Sequence, residues 1–159
     1  MKSSLRLSAL SLSFVVLTMT SCISQQSMQA SKQGLFGKVL WIAGNQMPMI
    51  MEEGQQDDRK GPRPIEREIV VYEQTRSSDT EMENGFYTSI KTKEVARFKT
   101  DKNGQFYVHL KPGIYSLFTV EENGLWANTF DVENRINPIE IKEEEIATIT
   151  ITVNYDAAY

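Results

Sequence analysis

The 159-residue sequence has little of the sulfur and imidazole from which catalytic and metal centres are built. It contains one cysteine, Cys22, and one histidine, His109. A single cysteine excludes an internal disulfide framework, and a single histidine excludes every site that needs two imidazoles. The net charge of −4 provides no basic field for a phosphate backbone, so no nucleic acid partner is expected. These absences favour a protein that is not an enzyme and holds no cofactor.

The sequence also lacks an apolar run long enough to cross a bilayer. Its longest apolar segment, residues 7–17, follows Lys2 and Arg6 and has the length of a signal-peptide core. The next residues, Met19-Thr20-Ser21-Cys22, resemble the lipobox of bacterial lipoproteins, with Met19 where leucine is usual. The resemblance implies cleavage after residue 21 and attachment of the protein to a lipid bilayer through acylated Cys22. Several acyl chains, at about 0.8 kcal/mol per buried CH₂, make such attachment stable.

The chain is expected to divide into a signal peptide (1–21), a flexible tether (22–33) and one domain (34–159). The tether is polar and has no hydrophobic period. By resemblance to other lipoproteins, the lack of an aspartate after Cys22 implies the outer membrane, and the lack of an acidic run there implies that the domain faces the periplasm.

From residue 34 onward, apolar residues recur with a period of two, as in β-strands. Asp101-Lys102-Asn103-Gly104 and Lys111-Pro112-Gly113 are strong turn signals. The pattern predicts an all-β fold, an antiparallel sandwich of seven to eight strands. The two longest connections, 43–64 and 75–92, are polar and are predicted to be loops. Strands are expected near 35–41, 65–72, 94–100, 106–110, 115–119, 125–130, 138–142 and 147–155.

Residues 100–117, TDKNGQFYVHLKPGIYSL, resemble the signature of carboxypeptidase regulatory-like domains, T-D-x-x-G-x-F followed by P-G-x-Y-x-L. Gly37-Lys38-Val39 is similar to the opening G-x-V strand of that family. These domains are transthyretin-like sandwiches, common in exported Bacteroidetes-type proteins, and are accessory modules without a catalytic zinc site. The resemblance implies a transthyretin-like fold and no peptidase activity. The connection 43–64 is longer than is usual in the family, so we expect individual properties to lie there.

Five aromatic residues are candidates for a sugar or peptide platform: Trp41, Tyr72, Tyr87, Trp126 and Phe130. Trp41 alternates with Val39 and is expected in the core. Trp126 follows the Asn123-Gly124 turn and is the ligand-binding candidate, with a core or half-buried position as the alternative. His109 lies between Val108 and Leu110 and is expected to face solvent.

Two metal sites are conceivable. The thioethers of Met47, Met49 and Met51 suit Cu(I), although methionine more often serves as apolar padding. If each strand reverses direction, the loop 43–64 and the acidic turns at 101–104, 121–124 and 143–145 lie at one end. Carboxylates gathered there suit Ca²⁺, although turn charges are more often simply solvated.

The leading hypothesis is a non-enzymatic envelope lipoprotein whose sandwich is a protein-interaction or structural module, with an envelope protein as its partner. The alternative is a carbohydrate-binding module at the cell envelope, with Trp126 and the loop 43–64 at its site.

Overall fold

The protein is described here from a computed structural model, which covers residues 33–48 and 61–159. Cys22, the signal peptide and almost all of the predicted tether lie outside the described residues, as do Met49 and Met51. Within the described part, one turn of 3₁₀ helix, Ser77–Asp79, is the only helical element. The prediction of an all-β sandwich is confirmed.

The strands, in chain order, are β1 (Gly34–Asn45), β2 (Arg63–Pro64), β3 (Glu68–Glu73), β4 (Thr80–Glu83), β5 (Phe86–Ile90), β6 (Glu94–Lys99), β7 (Gln105–Val108), β8 (Gly113–Glu121), β9 (Gly124–Trp126), β10 (Pro138–Ile141) and β11 (Ile146–Ala158). In the first sheet, β1 lies between β11 on one side and β2 and β7 on the other. The second sheet is antiparallel, in the order β4-β5-β9-β8-β3-β6, and β10 also pairs with β8.

β1 and β11 run parallel, with Gly34 opposite Ile146 and Trp41 opposite Val153. The turn that precedes β11, residues 143–145, therefore lies at the end where β1 begins. The prediction that this turn joins 121–124 and the loop 43–64 at one end is wrong, because it assumed that every strand reverses direction. We call the end that contains Gln33, Leu110 and Glu144 the tether end, and the opposite end, which contains Trp41, Glu121 and Tyr155, the far end.

The connection 75–92, predicted to be a loop, contains the hairpin β4–β5. Its turn is Asn84-Gly85, and both residues have positive φ, 51° and 86°. Positive φ at both central residues is typical of a type I′ turn, for which Asn-Gly is the preferred dipeptide. The signal was therefore present in the sequence, between two alternating segments.

The central strands of the second sheet, β3 and β8, are buried on both faces. Towards the first sheet, Leu117 joins a core with Leu35, Val39, Ile69, Val71 and Val153. On the other face, Phe118 packs with Tyr87, Ala127 and Ile136. Segment 127–137 covers that face, and its Asn137 side chain donates a hydrogen bond to the carbonyl of Leu117 (2.9 Å). The sandwich therefore carries a third, irregular layer.

Candidate functional site

Four aromatic rings meet between the two sheets at the far end. The Tyr155 ring centroid lies 5.1 Å from Trp41, 5.0 Å from Phe86 and 5.3 Å from Trp126, each in edge-to-face geometry. Trp41 and Tyr155 come from the first sheet, whereas Phe86 and Trp126 come from the second. Edge-to-face pairs stabilise beyond the area that they bury. We call these four residues the aromatic cluster.

A buried ion pair lies beside the aromatic cluster. Arg67 Nε donates to both carboxylate oxygens of Glu121 at 3.1 Å. The Glu121 side chain is only 3% exposed, and the Tyr155 hydroxyl donates to it at 3.0 Å. The Arg67 guanidinium carbon also lies 5.7 Å from the Trp41 ring centroid, within the range of a cation–π contact. The Glu121 carboxylate is thus compensated where little water reaches it, whereas the Arg67 side chain stays 25% exposed.

This environment shifts the pKa of the Tyr155 hydroxyl. Burial, followed by the hydrogen bond to Glu121 and the charge of that carboxylate, raises the pKa of Tyr155 above its usual 10.0. Arg67 acts in the opposite direction without overcoming those effects. Because the folded state holds this proton more tightly than the unfolded state, the stabilisation is complete below pH 10 and is lost as the pH rises through the folded-state pKa.

Replacing Tyr155 with phenylalanine is expected to lower the free energy of unfolding by about 1–2 kcal/mol near neutral pH, since a hydrogen bond to a charged group is lost. Above pH 10 the gap between the two proteins should narrow, because only the protein with Tyr155 loses this proton. Urea unfolding of both proteins from pH 7 to 11 measures the gap, and the other tyrosines cancel in the difference. A gap independent of pH would contradict the assignment.

Trp126 is half-buried in the aromatic cluster, and its indole N–H is buried without a hydrogen-bond partner among the described residues. Thr119, directly opposite it on β8, also has a buried hydroxyl with no such partner. A sugar platform needs an exposed ring face and accessible donors. This placement favours the core role of Trp126 over a ligand platform.

The other predicted site residues are scattered. Tyr72 and Tyr87 pack around Phe118 on the opposite face of the second sheet. Phe130 is exposed in the covering segment. Trp41 packs against the core beside Trp126. His109 is exposed at the tether end, as predicted.

The sequence placed Glu121 only among the acidic turn residues of the conceivable Ca²⁺ site, and it did not single out Arg67. Both follow the alternation of their strands: Arg67 is two residues before buried Ile69, and Glu121 is two residues after buried Thr119. Two opposite charges at inward positions of neighbouring strands were the available signal.

The outer edge of β11 is a second candidate site. Within the described residues this 13-residue strand pairs only with β1. It contains no lysine, arginine, proline or glycine, and Asp156 is its only charged residue. By contrast, β6 carries Glu94, Arg97 and Lys99, and β4 has four residues including two glutamates. Charges and short lengths protect edge strands against pairing, and β11 has little of either protection. We call its free side the acceptor edge.

The direction of the backbone groups on β11 follows from one hydrogen bond. Gly34 N–H donates to the carbonyl of Glu145 (3.0 Å), while Gly34 stands opposite Ile146. In a parallel ladder, odd residues from 145 to 153 therefore direct their backbone groups to β1. Residues 146, 148, 150 and 152 direct theirs to the acceptor edge, and the side chains of Thr148, Thr150 and Thr152 lie on the outer face.

No family model, curated protein or solved structure matches the chain. The carboxypeptidase regulatory-like resemblance therefore stays a prediction. In the described ranges, 33–48 and 61–159, no helix is long and apolar enough to span a membrane. The same ranges hold no group of three or more candidate metal-binding side chains.

Proposed function

We propose that the protein is a lipid-anchored envelope protein, attached through Cys22, whose sandwich binds another protein at the acceptor edge and catalyses no reaction. The observation that carries the proposal is the length of β11 together with its lack of protecting charges. An extended segment of a partner can add to such an edge, where main-chain hydrogen bonds provide affinity and alternate side chains provide specificity.

The flanks of the acceptor edge define the chemistry of the partner segment. Glu143, Glu144 and Glu145 precede β11, and Asp156 lies near its other end. An added strand continues the alternation of β11, with apolar side chains towards the sandwich interior and polar ones outward. The complementary segment is therefore extended, alternating and basic at its ends.

A second copy of the chain suits the acceptor edge less well. Antiparallel pairing of two β11 strands about a two-fold axis would direct the two tether ends in opposite directions. A 13-residue strand is about 44 Å long, and the segment 23–33 spans at most about 40 Å. If two such copies stood upright on one bilayer, one tether end would lie beyond the reach of segment 23–33, so this pairing requires both sandwiches to lie flat on the surface.

Thr150→Pro is expected to abolish partner binding. Proline removes the N–H that Thr150 directs to the acceptor edge, while the hydrogen bonds between β11 and β1 stay in place. Thr150→Ala keeps that N–H and is the matched control. Both variants, as full-length lipidated proteins, should be cross-linked in the native envelope, recovered by affinity and analysed by mass spectrometry for a stoichiometric partner.

A partner recovered with the parent protein and with Thr150→Ala, and lost with Thr150→Pro, would support the proposal. Equal recovery with all three proteins would place the interface elsewhere, and no partner with any of them would remove the interaction proposal. In the same experiment the Cys22→Ala variant should no longer be found in the membrane fraction. If it remains there, the lipid attachment is wrong.

The carbohydrate-binding alternative stays a prediction. The half-buried position of Trp126 gives it less support than the acceptor edge gives to a protein partner.

A further inference from the structure

A groove of about 680 Å³ opens at the tether end, between the beginning of β6 and the loop that joins β7 to β8. Leu110 and Tyr115 belong to its wall and also to the core between the sheets. Four of the ionisable residues in its lining are Glu73, Lys93, His109 and Lys111. The groove therefore combines an apolar base with charges of both signs.

One residue, Gln33, connects the groove to the predicted tether. Its side-chain amide donates to the carbonyl of Leu110 (2.8 Å), and its amide oxygen accepts from the backbone N–H of Glu144 (3.3 Å). Its backbone carbonyl lies 2.9 Å from His109 Nδ1. The chain therefore leaves the sandwich beside the groove.

The Gln33 carbonyl also defines the tautomer of His109. A carbonyl oxygen only accepts hydrogen bonds, so Nδ1 of His109 must carry the proton of this contact. In the neutral ring Nε2 is then the nitrogen that can accept a hydrogen bond. Because His109 is one of the residues that line the groove, its ring brings this acceptor to the rim.

The charged groups in the groove do not form ion pairs with one another. Neither Lys93 nor Lys111 has a carboxylate within 4.0 Å among the described residues, and the same residues offer Glu73 no cation within that distance. Glu94, also in the lining, is already bound by Arg97 at 2.8 Å. Glu73 stands opposite Tyr115, and burial together with the Glu73 charge raises the pKa of Tyr115. Two ammonium groups and one carboxylate are thus available to a ligand.

We propose that this groove binds a phosphoethanolamine group, with its phosphate at Lys93 and Lys111 and its ammonium at Glu73 and His109 Nε2. Such a zwitterion matches the two signs of charge, and its ammonium supplies the N–H donors that a carboxylate and an imidazole lone pair accept. The headgroup of a phospholipid and a free phosphoethanolamine compound share this chemistry. The position beside the chain exit suits a headgroup of the supporting bilayer, a step that rests on the proposed lipid attachment.

The single histidine makes the test direct. In the full chain carrying Cys22→Ala, which has no acyl chains of its own, the imidazole signals of His109 can be followed by NMR without overlap from another histidine. Glycerophosphoethanolamine is expected to shift them saturably. Glu73→Gln should weaken this binding about fivefold or more, since one ion pair is removed. Glu81→Gln, an exposed carboxylate on β4 outside the groove lining, should leave it unchanged.

Inorganic phosphate alone, glycerophosphocholine and dialanine should each bind several-fold more weakly. Equal binding by phosphate alone or glycerophosphocholine would overturn the role of the ammonium donors, and equal binding by dialanine would overturn the role of phosphate. The absence of a saturable shift would overturn the proposed site. Vesicles of ethanolamine phospholipid distinguish the sources: binding to them supports a headgroup, and binding to the soluble compound alone supports a free ligand. Thr150→Pro should leave every titration unchanged. A failure of the groove proposal can therefore be distinguished from a failure of the proposal that a partner binds at the acceptor edge.

Discussion

Replacing Gly104 with alanine is expected to lower the free energy of unfolding by at least about 3 kcal/mol, because backbone strain and a backbone clash act together. Gly104 has a φ of +71°, and a Cβ atom there would lie 2.5 Å from the carbonyl oxygen of Val39 and 2.9 Å from that of Ile65. These neighbours are backbone atoms of a buried ladder and cannot rotate away. The shift would also disturb the hydrogen bond from Val39 N–H to the Gly104 carbonyl (2.8 Å). Urea unfolding of the full chain measures the loss.

Gly44→Ala is the matched control for the backbone strain. Gly44 has a similar φ, +76°, but a Cβ atom there would meet nothing within 4 Å among the described residues. Its substitution should cost only about 1–2 kcal/mol, the usual cost of the left-handed region for a residue with a side chain. Similar losses for the two variants would show that the close approach of three backbone segments at Gly104 contributes little.

Gly104 also shows which parts of the structure could be predicted from the sequence and which could not. Asp101-Lys102-Asn103-Gly104 predicted a tight turn, and the Asp101 side chain indeed accepts hydrogen bonds from the backbone N–H groups of Asn103 and Gln105. A turn of this kind is determined locally and can be predicted from four consecutive residues. The contacts of Gly104 with Val39 and Ile65 are made across distant parts of the chain, and no local pattern contains them.

The alternating pattern of β11 could be predicted from the sequence in the same way, whereas the strand that lies beside it, β1, could not. Ile151 and Val153 are buried and Thr148 and Thr150 are exposed, which agrees with a period of two. A period of two fixes which side chains share a face, but it carries no information on which strand lies alongside or in which direction. The parallel pairing with β1 therefore could not be read from the pattern. That pairing is also what leaves the acceptor edge free.

The outer face of the second sheet was missed for a related reason. Alternation suggested one buried face, yet Leu117 and its neighbour Phe118 are both fully buried. Phe118 packs with Tyr72 and Tyr87 of its own sheet and with Ala127 and Ile136 of segment 127–137. That segment contains isolated bridges but no strand with a recognisable period. An irregular layer buries apolar area without leaving a periodic signal.

Of the far-end site, the sequence identified the aromatic residues Trp41 and Trp126 but not the ion pair between Arg67 and Glu121, which links neighbouring strands of the second sheet. Charged residues at strand ends are usually solvated. The alternation of β8 places Glu121, unlike its exposed neighbour Glu122, in phase with buried Thr119, but it does not show that a cation lies opposite. The difference arises only because Tyr155 and Arg67 are brought to Glu121 by the packing of β11 and β3 against β8.

Replacing Arg67 with methionine is expected to lower the free energy of unfolding by about 3–5 kcal/mol, because it leaves a buried carboxylate without its cation. Glu121, with a side chain only 3% exposed, would keep one hydrogen bond, from Tyr155. Methionine retains much of the apolar volume over Trp41, so the loss reports charge rather than packing. Urea unfolding at neutral pH gives the value, and fluorescence of the two tryptophans follows the same transition.

Two further variants separate this effect from its alternatives. Arg97→Met removes an exposed arginine that pairs with Glu94 and Glu68, and it should cost no more than about 1 kcal/mol. Adding Glu121→Gln to Arg67→Met should recover a large part of the loss, because the stranded charge disappears while Tyr155 still has an oxygen to which it donates. If Arg67→Met costs as little as Arg97→Met, water reaches Glu121 at the far end and the ion pair contributes little to the stability of the sandwich.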